Sequence, residues 1–282
     1  MLLGLGPALA TGTTACGSGT ADRPADPPPP TAVPRLDALR LVVAGGFTTA
    51  AIAFRTVPEL TITDDGRVLT PAPVTALYPG PILTQLTERS IDAEGRAAVA
   101  DVVVRSGLVT SPPPDLGSPN VADAPTTTLT LTVGGAETTV VAPALAEALD
   151  DDPALTPGQR EARARLREVV DRLRDLTGTV GSEHLGRPGV YVPRAVWLRA
   201  LPAPTDRPPE DPGPTLLPWP VPEVDLATLD SATLVEGPEA EAVLEVVEGA
   251  DELTWFRPPG SDTTYELFAR PAVPGDPPDG SV

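Results

Sequence analysis

The stretch TTTLTLTVGGAETTVVA, residues 126–142, decides the fold class. Thr128, Thr130 and Thr132 alternate with Leu129, Leu131 and Val133, and a period of two argues for a half-buried strand. Gly134-Gly135 supplies the positive φ that a two-residue hairpin turn requires, and residues 136–142 return as the second strand. The aliphatic side chains face a core, and the threonines face solvent or a second layer. A sheet with one apolar face needs a covering layer, and helices on both sides of this stretch in sequence can supply it.

Downstream, residues 156–177 carry the strongest helical pattern. Thr156 caps it, Pro157 occupies its first position and Gln159 completes a capping box. Ala162, Leu166, Val169, Val170, Leu173 and Leu176 form one stripe, and Gly178 ends the helix. Upstream, residues 92–106 predict a helix capped by Asp92, buried through Val99, Val102 and Val103, and closed by Gly107. Before it, residues 60–63 and 67–69 predict a hairpin around Asp64-Asp65-Gly66. A three-residue turn with Gly66 left-handed pairs Ile62 with Val68, and a two-residue turn would pair Ile62 with Leu69; the first is preferred because Leu60, Ile62 and Val68 then share a face. Residues 39–44 and 49–54 look like strand material around Gly45-Gly46.

Beyond residue 180 the pattern resumes. Residues 190–201 predict a strand containing Trp197, and residues 202–222 a proline-rich loop carrying Trp219. Gly237-Pro238 opens a helix with Val243, Leu244 and Val247 inward. Residues 253–257 and 263–269 form a hairpin around Pro258-Pro259-Gly260. The expected class is α+β: antiparallel β hairpins with about three helices packed on the sheet. The order strand, helix, strand, strand occurs twice, which suggests two similar α/β halves, residues 36–180 and 181–270. Residues 271–282 have the composition of a disordered tail.

The N-terminus speaks to location. Residues 1–15 are apolar and uncharged and close on Thr-Thr-Ala before Cys16, the one cysteine of the chain. The run is too short to span a membrane, which takes about 20 residues, and it fits a lipoprotein-type signal peptide with Cys16 as the lipid attachment point. No basic residue precedes Cys16, and Thr13 stands where such signals usually carry Leu. Residues 17–35, with Pro27 to Pro30, read as a Pro-rich disordered tether. The expectation is an extracytoplasmic protein, lipid-anchored to the outer face of the cell membrane.

Several short pieces occur in a characteristic order over roughly residues 40–180: Gly45-Gly46-Phe47, Asp65-Gly66-Arg67-Val68, Tyr78-Pro79-Gly80-Pro81, Ser106-Gly107-Leu108, Asp123-Ala124-Pro125-Thr126-Thr127 and Leu155-Thr156-Pro157-Gly158-Gln159-Arg160. With a weaker echo at Trp219 and Phe268-Ala269-Arg270-Pro271, the chain resembles a family of uncharacterised secreted lipoproteins from actinobacteria. The resemblance implies secretion and the fold; it carries no catalytic or ligand residues. The first half also looks distantly like bacterial domains of unknown function built on the same hairpin–helix–hairpin–helix plan.

Composition narrows the function classes. The net charge is −19, and all 20 positive charges are arginine. No basic stripe is available to offset phosphate repulsion, which argues against nucleic acid. One cysteine excludes an internal disulfide and a Cys-based zinc site. Walker, Rossmann and His-rich zinc patterns are absent, so no cofactor and no metal are expected. His184, the one histidine, lies in a Gly/Ser/Glu loop without a neighbouring catalytic motif and reads as a solvated loop residue. Asp150-Asp151-Asp152 lacks the alternation of an EF-hand and reads as an acidic approach to a helix N-terminus. Tyr78, Asp123 and Thr126 form a speculative polar site, weighed against local turn chemistry at Asp123.

The expected function is therefore a non-catalytic cell-envelope lipoprotein that binds or supports another envelope component: a protein, a polymer or a small ligand. The proline loops 111–119 and 202–222 are its expected contact surfaces. The alternative is a secreted hydrolase using two carboxylates with separated pKa values.

Overall fold

A computed structural model describes residues 35–73, 78–204 and 213–281. Two sheets organise them, one of seven antiparallel strands and one of five mixed strands. The fold is α+β.

The seven-stranded sheet is built around the 126–142 hairpin. β5 (Pro125–Val133) and β6 (Ala136–Pro143) pair with Val133 opposite Ala136. Gly134 and Gly135 turn between them at φ 58° and 81°. β1 (Leu36–Gly45) lies along β5, with Leu41 opposite Leu129 and Leu39 opposite Leu131. β2 (Leu60–Ile62), β3 (Arg67–Pro71) and β4 (Leu86–Ser90) continue outward, and β7 (Gly189–Val190) closes the edge: β6-β5-β1-β2-β3-β4-β7. The 62–68 register is the expected one, with Ile62 opposite Val68 and Gly66 at φ 82°.

Helices cover one face. α2 (Ala93–Arg105) is capped by the Asp92 carboxylate, and Val99, Ala100 and Val103 are buried. α3 (Pro157–Arg174) has the full capping box of Thr156 and Gln159. Together they bury Leu39, Leu41, Ile62, Val68, Leu129 and Leu131. Each such aliphatic side chain contributes about 1.5–3 kcal/mol relative to exposure. α3 ends earlier than its stripe predicts. Asp175 leaves helical geometry at ψ 59° and caps the short α4 (Leu176–Val180), which runs through Gly178 to Gly181 at φ 88°. A local Asp cap outcompetes continuation here, as short acidic side chains do.

The five-stranded sheet has the order β10-β8-β12-β11-β9. β8 (Ala195–Pro202) and β12 (Tyr265–Pro271) form its centre, flanked by β10 (Thr233–Glu236), β11 (Thr254–Arg257) and β9 (Thr215–Pro218). α5 (Gly237–Glu248) covers it through Ala240, Val243 and Val247. Trp219 packs edge-on against Phe256 within this core. Each sheet thus carries its own helical cover, but the two layers differ in strand number and order, and β9 runs parallel to β11.

Four further expectations change. Residues 49–54 are not a strand: α1 (Ala50–Arg55) forms there, capped by Thr49, because an Ala-rich run behind a threonine favours helix. Residues 190–201 are two strands in different sheets, since Pro193 cannot donate to a ladder and the chain crosses over at that point. Residue 181 is not the boundary between layers, because β7 still pairs with β4 in the first sheet while Ile82 belongs to the second core.

The fourth is the tail, which is anchored. The Asp276 carboxylate is 6 % exposed and accepts from Arg40 Nη2 (2.8 Å), Arg270 Nη1 (3.2 Å), Trp197 Nε1 (3.1 Å) and the Val273 amide (3.0 Å). The Gly280 carbonyl accepts from Arg270 Nη2. Val273 joins Val57, Leu69, Leu86 and Tyr191 in a third cluster.

Candidate functional site

The crossover between the sheets reads Arg187-Pro188-Gly189-Val190-Tyr191-Val192-Pro193-Arg194. Its centre is pinned by Tyr191. The Tyr191 amide donates to the Leu86 carbonyl (2.9 Å), extending the β4–β7 ladder by one residue, and its hydroxyl donates to the Ala272 carbonyl (3.0 Å). Burial pushes the Tyr191 phenol above its ordinary pKa. With Tyr191 turned inward, alternation turns Val190 and Val192 outward. They are 78 % and 77 % exposed.

Beside this segment lies an open cavity of about 900 Å³, and four arginines line it: Arg67 from β3, Arg89 from β4, and Arg187 and Arg194 from the crossover. Two carboxylates, Asp65 and Glu88, also face it. Arg67 is held by Asp65 (Nε to Oδ2, 2.9 Å), and Arg89 donates to the Thr177 hydroxyl (3.1 Å). Among the described residues Arg187 and Arg194 have no ion-pair partner. A chain of net charge −19 thus gathers a fifth of its arginines on one groove. A guanidinium presents donors in a planar fork that suits carboxylate and phosphate oxygens. The same segment also lines a narrower apolar notch of about 170 Å³, with Pro81, Leu83, Leu86 and Leu244 among others.

A second constellation lies at the N-terminus of α2. His184 Nδ1 is 3.0 and 3.1 Å from the two Asp92 carboxylate oxygens, and the Asp92 amide donates to the His184 carbonyl (3.1 Å). Glu94 is adjacent, and one donor atom from each of the three lies within 4.8 Å of the others. These are the described residues that could hold a cation, with water completing the shell. The Asp92 carboxylate already accepts from the Gly95 amide (2.8 Å). Its contact with Asp92 raises the His184 pKa. The Gly95 amide, and then His184, hold Asp92 below the usual carboxylate range. Gly95 is required by this packing, since a Cβ there would come within 2.8 Å of Ile91 and 3.1 Å of the His184 Cβ.

The residues singled out from sequence fall in several places. Cys16 and the signal lie outside the described residues, as does the tether up to residue 34. Tyr78 is exposed beside Pro79. Asp123 adopts φ 55°, and its carbonyl accepts from the Phe47 amide (2.9 Å). Gly46 fits there because a Cβ would meet that carbonyl oxygen at 2.8 Å. Thr126 is half-buried on β5 opposite Ala44 and Pro143. No hydrogen bond joins Tyr78 to Asp123 or Thr126 among the described residues. Asp150 pairs with Arg167 (2.6 Å), and Asp152 caps a turn at Ala154.

The 111–119 loop is fastened to α3, with Asp115 accepting from Gln159 (2.7 Å) and the Leu116 carbonyl from Arg163. Within 202–222, residues 205–212 lie outside the description; Trp219 is buried and donates to the Val224 carbonyl (2.8 Å). Sequence reasoning missed the arginine groove. Its one local signal was the symmetric Arg-Pro…Pro-Arg frame around Val-Tyr-Val.

Among the described residues no helix is long and apolar enough to cross a membrane. No family profile, curated protein or solved structure matches the chain.

Proposed function

We propose that this protein is a non-catalytic binding module of the cell envelope, and that it captures an anionic component through the groove of Arg67, Arg89, Arg187 and Arg194. The single observation that carries this reading is the concentration of four arginines, of which Arg187 and Arg194 have neither a hydrogen-bond nor an ion-pair partner among the described residues, on one concave surface of a strongly acidic chain. On a chain of net charge −19, a concave surface where arginines outnumber carboxylates is a place where carboxylate or phosphate is favoured. Among the described residues each carboxylate with a displaced pKa (Asp65, Asp92, Asp115, Asp279) is displaced downward, the opposite of what a general acid needs. That direction favours binding over the carboxylate hydrolase.

Attachment to the outer face of the membrane through lipid on Cys16, and kinship with the actinobacterial lipoproteins, complete the proposal. On that reading the groove would meet anionic wall polymers and acidic segments of envelope proteins. The test is equilibrium binding of the full chain to a polyphosphate-containing and a polycarboxylate probe. The Arg187→Ala/Arg194→Ala double variant is expected to bind roughly tenfold or more weakly, since each charged hydrogen bond is worth about 1.5–3 kcal/mol when its partner is lost. Equal binding by wild type and variant would remove the groove from the function.

A further inference from the structure

We infer that the partner is an acidic, extended polypeptide segment that adds a strand to the seven-stranded sheet at β7. The inference rests on the anion-binding reading above and names its ligand class. β7 is the terminal strand of that sheet. In its ladder with β4, Gly189 pairs with Glu88 and Val190 with Thr87, and the Tyr191 amide reaches Leu86. The alternation of an antiparallel ladder then directs the main-chain N–H and C=O of Val190 and Val192 away from β4. An open edge of this kind is a template for a further strand.

Sheet edges are usually blunted, and the frame around β7 shows how this one is managed. Pro188 and Pro193 limit the open edge to residues 189–192, too short for extensive sheet growth. Arg187 and Arg194 sit at its two ends and face the same cavity. Two copies meeting edge to edge would bring four uncompensated guanidinium groups together, which disfavours self-pairing. An acidic strand meets the same groups as attractions, so one device rejects one partner and selects another.

Val190, Tyr191 and Val192 form the shared wall of the charged groove and of the apolar notch beside Leu83 and Leu244. A strand laid along that wall is offered charge in the groove and an apolar seat in the notch. A wall polymer of phosphate groups would satisfy the arginines but leave the open N–H and C=O groups and the notch without complements. That difference favours a polypeptide over a polymer.

The experiment measures binding of the full chain to a synthetic peptide of alternating valine and glutamate, by fluorescence anisotropy. The comparison probes are the valine–glutamine and valine–lysine counterparts, a valine–glutamate peptide N-methylated at alternate residues, and a soluble polyphosphate. Support for the inference requires binding of the valine–glutamate peptide, loss of roughly tenfold or more on N-methylation or in the valine–glutamine form, and no binding of the valine–lysine form. The Arg187→Ala/Arg194→Ala variant, its melting temperature unchanged, is expected to lose the peptide as well. If polyphosphate and the N-methylated peptide bind as tightly as the parent peptide and the variant loses all three, strand addition is overturned while anion binding stands. If no anionic probe binds, both readings fall.

Discussion

His184 shows what a single contact does to a residue that looks unremarkable in sequence. Its neighbours Asp92, Glu94 and Glu183 are all acidic, and Asp92 is near enough to bond. The folded pKa of His184 is raised, so its contribution to stability is complete below the unfolded value of about 6.5 and is lost as pH rises through the folded one. The folded pKa of Asp92 is depressed, so its contribution is present above about 3.9 and is lost as pH falls through the folded value. The pair therefore stabilises most between about pH 4 and 6.5. Replacing His184 with alanine is expected to destabilise the protein more at pH 5 than at pH 8, read from urea unfolding midpoints at the two values. A pH-independent difference would mean that packing against Gly95, and not the ion pair, is what the side chain provides.

At the scale of elements, the last strand and the segment after it form a clasp. Arg270 is fully buried and lies 5.8 Å from the Trp197 ring centroid, and its charge is answered by Asp276. Arg40 on β1 shares the same carboxylate, which ties the seven-stranded sheet to the five-stranded one. Burial lowers the Arg40 pKa against the opposing pull of Asp276. Breaking a buried pair by removing one partner typically costs about 3–5 kcal/mol, because the remaining charge stays buried without compensation. Asp276→Ala is expected to fall in that range by chemical denaturation. Asp279→Ala, three residues on and exposed, should leave stability nearly unchanged. Equal effects from the two would show that the segment is not fastened through Asp276.

At the scale of the whole molecule, charge is distributed against its own average. A net charge of −19 coexists with a groove where arginines outnumber carboxylates two to one. Capture of an anion there is screened by salt, with a Debye length of about 10 Å at 0.1 M. The affinity of the wild-type chain for an anionic probe should fall steadily as sodium chloride is raised from 0.05 to about 0.5 M. The Arg187→Ala/Arg194→Ala variant should show a clearly shallower dependence in the same titration. Parallel slopes for the two would place the electrostatic contact elsewhere on the surface.

What the sequence by itself determined is whatever rests on neighbours within a few residues. The alternation at 128–133, the paired glycines at 134 and 135, the left-handed Gly66 and the capping box at Thr156 each encode a local conformation, and each forms as expected. The aliphatic stripes likewise name the core face of α2 and α3 before any partner is known. The tertiary structure decided what joins distant positions. Residues 49–54 lacked alternation and took the helix offered by Thr49 and alanine. Residues 190–201, continuous on paper, were divided between two sheets at Pro193. Asp276, in a segment with the composition of a free tail, found two arginines, one of them 236 residues away. His184 met Asp92 across 92 residues, and Arg67, Arg89, Arg187 and Arg194 came from three separate stretches to one groove. Local periodicity carries information about which face of an element is buried, but the pairing of charges and the order of strands are set by which surfaces compact packing brings together.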